Sequence, residues 1–231
     1  MKSDQAIPIK DCGEALVAIP QNMFALETPH PYQKLGAPYG KVSPFQLRES
    51  VLRGLQQAQT ELQKHQAGWK IKIFDAYRPI AVQQFMVDYT FERLRQQYPE
   101  HSESAIDPKG HRIEDSIAQQ VSQFWAQPSD DLNTPPPHST GAAIDITLVN
   151  EIGETLDLGG EIDEISPRSY PDFYQKATGK SEKIYHQRRE LLRGIMLSAD
   201  FRQHPQEWWH FSLGDQMWAW LKSQERPHFD L

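Results

Sequence analysis

Residues 204–211, HPQEWWHF, set Glu207 three positions ahead of His210 with Trp208 and Trp209 between them. A carboxylate can act as a general base, and an imidazole can ligate a metal or carry a proton. A second stretch, PPPHSTGAAIDITLV, adds His138 and Asp145, seven positions apart. Catalytic zinc takes three ligands of the His and carboxylate type and leaves a fourth position open. His138, Asp145 and His210 are therefore a complete candidate set, with Glu207 beside the last of them. The plainer reading is three ordinary polar residues next to buried indoles, and the residue types alone leave both open. The proline run at 135–137 holds His138 stiffly. Gly141, Ala142 and Ala143 have little bulk, so the histidine loop can close onto the strand that carries Asp145. The other histidines, His30, His65, His101, His111, His186, His204 and His228, fall in loops or on polar helix faces and read as solvated.

These side chains must be positioned by a small number of elements. WKIKIFDAYRP (69–79) alternates Trp69, Ile71 and Ile73 with lysines, the period of a half-buried strand. The strand ends in Asp75, Tyr77 and Arg78, where charged groups commonly face a cleft, although a surface salt bridge is the simpler role for Arg78. Pro79 can open the helix that follows. In AIDITLV, Ile144, Ile146 and Leu148 face inward, and Asp145 looks out from the other face of the sheet. WWHFSL reads as a strand. A strand sends positions 207 and 210 to opposite faces, so a bulge or the strand's end must bring both side chains to one metal.

Elsewhere, Ser43 and Pro44 read as the cap and first turn of a long helix ending near Gly68. Leu47, Val51, Leu55, Ala58 and Leu62 form its apolar stripe. A second helix spans SEKIYHQRRELLRGIMLSADF, with Leu191, Leu192, Ile195 and Met196 buried. Residues 98–127 are helix-forming, and LDLGGEIDEISPRSY is an acidic, Gly-rich loop. The first forty residues read as an irregular wrap over the core. Helices and strands without regular alternation indicate a single α+β domain over 1–231, with a central antiparallel-type sheet and flanking helices.

Composition narrows the partners. The formal net charge is −7, and no window concentrates Lys or Arg, which argues against nucleic acid. No apolar run reaches the roughly 18–20 residues of a membrane span, and the first residues lack the apolar core of a secretory signal. The single cysteine, Cys12, has no internal partner. A reducing, cytoplasmic location is expected. A homo-oligomer is left open.

FDAYRP, HSTGAAIDITL, LDLGGEIDEIS and EWWHF, in this order across about residues 40–213, resemble the zinc-dependent D-alanyl-D-alanine dipeptidases of the VanX type. Their clan also holds D-Ala-D-Ala carboxypeptidases and the Hedgehog signalling domain, and the resemblance implies that fold. It implies one zinc ion per chain on His138, Asp145 and His210, with Glu207 as general base toward zinc-bound water. Arg78 would stabilise the transition state, and Asp163 of GGEID would bind the ammonium end of a small D,D-dipeptide. Pro136 and Pro137 depart from the family pattern, which has a hydroxyl residue or glycine ahead of the first histidine. The alternatives are a carboxypeptidase acting on peptidoglycan peptides and a non-catalytic zinc-binding module. Retention of Glu207 and Arg78 favours an enzyme.

Overall fold

The structure, a computed structural model, describes residues 7–98 and 112–222. Its main sheet contains β2 (Ala25–Leu26), β4 (Lys70–Asp75), β5 (Ala143–Val149), β6 (Arg202–Gln203) and β7 (His210–Ser212). The strand order is β2-β4-β5-β7-β6, antiparallel throughout except for β2, which runs parallel to β4 at one edge. A separate antiparallel ribbon joins β1 (Leu16–Ala18) to β3 (Gln46–Arg48).

β5 is the spine of the domain, with a hydrogen-bonded neighbour on each side and every residue buried. Its Ile144, Ile146 and Leu148 join Ile71 and Ile73 of β4 in one apolar face. That face packs on Leu55 and Leu62 of α2 (Glu49–His65) and on Leu192, Ile195 and Met196 of α5 (Lys180–Ser198). Burial of each such side chain contributes about 1.5–3 kcal/mol. Leu191, by contrast, is only half-buried at the edge of this core.

Asp145 does lie on the other face, but that face is also covered. α1 (Pro31–Lys34), α3 (Ile80–Arg95) and α4 (Ile113–Phe124) contribute to a second apolar cluster that includes Tyr32, Tyr39, Val82, Met86, Val121 and Trp125. Tyr32 and Trp125 reach Arg78, which in turn contacts Asp145. The expected outward aspartate is therefore 2% exposed.

Two further expectations need correction. The long helix does not start at Ser43, because pairing with β1 holds residues 46–48 extended and the helix begins at Glu49. The Ser43 hydroxyl caps only the Phe45 amide, at 3.2 Å. Leu47 is still fully buried, but from a strand. The first forty residues are more than a wrap, since β2 extends the sheet and His30, Tyr32 and Tyr39 are built into the interior. Of the helix-forming stretch 98–127, α4 accounts for the C-terminal part, while 99–111, with His101 and His111, lie outside the described residues, as does His228. Cys12 is exposed.

Gly141 joins the His138 turn to β5 with φ 75°, where a Cβ would collide with Leu16 and sit 3.4 Å from Arg48. Gly141→Ala should lower stability by about 1–3 kcal/mol. Urea unfolding would show this as a lower midpoint at unchanged slope, and an unaltered midpoint would contradict the close packing described here.

Candidate active site

The site grows from one cross-strand row. Asp75 on β4 opposes Asp145 on β5, and Asp145 opposes His210 on β7. Simple alternation would turn Asp75 to the side of Ile71 and Ile73. A bulge between Ile73 and Asp75 inserts one residue and turns Asp75 to the face of Asp145. Cross-strand neighbours stand roughly 4.5–5.5 Å apart, so the register alone clusters two carboxylates and an imidazole.

His138 joins them from a 3-10 turn, Pro137–Thr140, seated by two stitches to the end of β4. The Arg78 amide donates to His138 O at 3.2 Å, and the Ser139 hydroxyl donates to Arg78 O at 2.7 Å. His138 Nδ1 lies 2.7 Å from Ala76 O, an acceptor, so Nδ1 carries the ring proton and Nε2 presents its lone pair.

The three candidate ligands face a common point. His138 Nε2 is 3.1 Å from His210 Nδ1 and 3.2 Å from Asp145 Oδ2, while His210 Nδ1 is 3.0 Å from Asp145 Oδ1. Tetrahedral zinc with bonds of about 2.0–2.2 Å sets its donors about 3.3 Å apart. The set therefore fits a zinc ion with little movement, and two neutral imidazoles with one carboxylate supply the single negative charge that favours a dication. Burial alone would raise the pKa of Asp145, but His138 and His210 beside it hold the carboxyl well below its usual range. Burial also lowers His210, favouring the neutral form that can ligate.

Glu207 reaches the cluster from the turn before β7, and the strand's end meets the geometric requirement set by the sequence. Its Oε2 is 3.8 Å from His210 Nδ1, and its Oε1 is 3.8 Å from His204 Nδ1. Trp208 and Trp209 are each 2% exposed and meet edge to face at 5.5 Å, which locks the turn.

Arg78 is 4% exposed, so the surface salt bridge is ruled out. Its guanidinium donates to Asp75 Oδ2, Gln83 Oε1, the Tyr32 hydroxyl and Asp145 Oδ2, at 2.9, 3.0, 3.2 and 3.3 Å. The rings of Tyr32 and Trp125 lie 5.0 and 4.9 Å from its central carbon. Asp75 is in turn held by His30 Nε2 and the Tyr39 hydroxyl, each at 3.0 Å.

Asp163 accepts a 2.7 Å hydrogen bond from the Tyr32 hydroxyl and has a left-handed backbone, φ 65°. Burial, reinforced by the nearby charge of Asp145, pushes its carboxyl up to about 7. Its loop is clamped by buried Arg189 of α5, which donates to Leu158 O at 2.7 Å and Tyr170 O at 2.9 Å. The guanidinium of Arg189 lies between the rings of Tyr174 and Trp208. Arg189 thus ties the Asp163 loop to the turn carrying Glu207.

All six predicted residues, His138, Asp145, His210, Glu207, Arg78 and Asp163, border one cavity of about 490 Å³. Sequence reading missed His30, which is 2% exposed rather than solvated, together with its partners Tyr32 and Tyr39. The only signal was a histidine between prolines in an aromatic-rich stretch. It also missed His204, which is half-buried in the cavity wall. Pro136 and Pro137 line the same wall.

The D-ala-D-ala dipeptidase family model (Peptidase_M15) matches residues 26–231. The chain belongs to this family. It is 48% identical over 233 residues to a D-alanyl-D-alanine dipeptidase of Synechocystis sp., covering 98% of this chain and 93% of that protein. A D-alanyl-D-alanine dipeptidase of Enterococcus faecium is 28% identical over 177 residues, 76% of this chain and 74% of that one. The dipeptidase family is a family of metallopeptidases, in keeping with the ligand geometry. No described helix is long and apolar enough to cross a membrane.

Asp163 gives a pH signature. A carboxyl whose folded value is raised contributes stability that is fully present below the unfolded value of about 3.9 and is lost as pH rises through about 7. Between pH 5 and 8, metal-free Asp163→Asn should lose less stability than the wild type in urea unfolding. Equal losses would contradict the buried placement of this carboxyl.

Proposed function

We propose that the protein is a zinc-dependent D-alanyl-D-alanine dipeptidase, cleaving the free dipeptide to two D-alanines. Convergence of His138, Asp145 and His210 at 3.0–3.2 Å carries this reading, with Glu207 and Arg78 on their flanks. Those three residues would hold one zinc ion, which when bound supplies Lewis acidity to polarise the scissile carbonyl and to acidify water.

Glu207 is the proton carrier. Its carboxylate takes a proton from the attacking water and delivers it to the departing amine nitrogen. Its burial and its distance of 3.8 Å from His210 Nδ1 support that role without making it a fourth ligand. Arg78 offers a fixed positive charge to the oxyanion that develops on the carbonyl oxygen. Because Asp75, Gln83 and Tyr32 already hold its guanidinium, little reorganisation is needed as that charge forms. Asp163, aligned by Tyr32, receives the substrate ammonium. Recognition of a free amino terminus suits a dipeptide better than the interior of a longer chain. A cytoplasmic location belongs to this reading, in line with the unpaired Cys12.

The test is D-alanine release from D-Ala-D-Ala by purified protein, before and after chelation and zinc re-addition, with a D-Ala-terminated pentapeptide alongside. Zinc-dependent cleavage of the dipeptide is expected, while preferential cleavage of the pentapeptide would overturn the dipeptidase reading. Glu207→Ala should keep its zinc and lose about 10²–10⁴ in kcat, and Arg78→Ala about 10²–10³. Unchanged kcat in Glu207→Ala would remove it from the mechanism.

A further inference from the structure

A ligating imidazole has a second nitrogen, and a buried N–H there needs an acceptor. For His138 that acceptor is Ala76 O. For His210 the group beside Nε2 is the Ser212 hydroxyl oxygen, 3.5 Å away on the same strand face. Ser212 is fully buried, so its hydroxyl proton must find an acceptor as well.

Asp215 has an acceptor to offer. It is 2% exposed and borders the same cavity as His210. Its Oδ1 accepts the Trp218 amide at 2.8 Å and so caps α6 (Gln216–Lys222). Its Oδ2 is buried with no hydrogen-bond partner among the described residues. A buried unsatisfied carboxylate oxygen is costly. Burial lifts the Asp215 carboxyl, and the Trp218 amide and the Ser212 hydroxyl, three residues before it in the chain, work against that rise. With His210 Nε2–H donating to the Ser212 oxygen, the serine has its hydroxyl proton left to donate, and Asp215 Oδ2 is left to accept.

We propose that Asp215 is a positioning residue for the metal centre. Through the Ser212 hydroxyl it orients His210, so that Nε2 keeps the proton and the Nδ1 lone pair faces His138 and Asp145. Outer partners of this kind fix the tautomer and raise the basicity of a ligating histidine. The proposal rests on the assignment of His210 as a ligand and adds residues to it that do not touch substrate.

Asp215→Asn and Ser212→Ala separate this role from helix capping, because asparagine caps as well as aspartate. Zinc affinity, read by competition with a chromophoric chelator, should fall about 10- to 100-fold in each variant. The double variant should be little worse than the weaker single one, since both interrupt one chain of hydrogen bonds. In zinc-loaded protein, the His210 Nε2–H followed by nitrogen-15 NMR should exchange slowly with solvent in the wild type and faster in both variants. Zinc affinities within twofold of wild type, or losses that multiply in the double variant, would overturn the proposal. Should Asp215→Asn not fold, Ser212→Ala alone decides through the same two readouts. His210→Ala protein that binds zinc as tightly as wild type would instead overturn the metal-site assignment.

Discussion

Asp145 is an ionised carboxylate at the centre of the middle strand of a five-stranded sheet, 2% exposed, and the surrounding structure has to compensate that charge. A buried carboxylate is tolerated only when paired and hydrogen-bonded. Arg78 and the two imidazoles meet that need on the side facing the cavity. Arg78 then requires compensation of its own, which Asp75, Gln83 and the faces of Tyr32 and Trp125 provide. The demand passes outward to His30 and Tyr39, far from Asp145 in sequence. Compensation of one buried charge thus links β4, the His138 turn and the segment before α2.

The same economy of charge explains why the acids of the cavity differ in state. Asp145 has two imidazoles and a guanidinium and stays ionised, whereas Asp163 has one tyrosine hydroxyl and is pushed up to about 7. A cationic ligand arriving at Asp163 would supply the missing countercharge. In the proposed reaction, ammonium recognition would follow from leaving this carboxylate undercompensated, and Arg189 keeps the loop in place while contributing no salt bridge of its own among the described residues.

Legibility from sequence followed the range of the interactions. The alternation in KIKIF and AIDITL revealed the strands and the apolar face, because side-chain period is a local property. The residue types of His138, Asp145, Glu207 and His210 made a metal site one of two open readings, and the family resemblance gave roles to those residues, to Arg78 and to Asp163. What stayed hidden depends on partners distant in the chain. The bulge that turns Asp75 to the site shows only in its register with β5. Strand pairing by β1 displaced the helix start from Ser43 to Glu49, a choice no local cap signal reveals. His30 looked solvated because its carboxylate partner lies 45 residues away.

X-ray absorption spectroscopy of the zinc-loaded protein tests the central claim most directly, since it reads the donor atoms themselves. The account predicts nitrogen and oxygen donors at about 2.0–2.2 Å with the scattering pattern of two imidazoles, and loss of one imidazole in His138→Ala. A sulfur donor at about 2.3 Å, or a spectrum unchanged by that substitution, would contradict it.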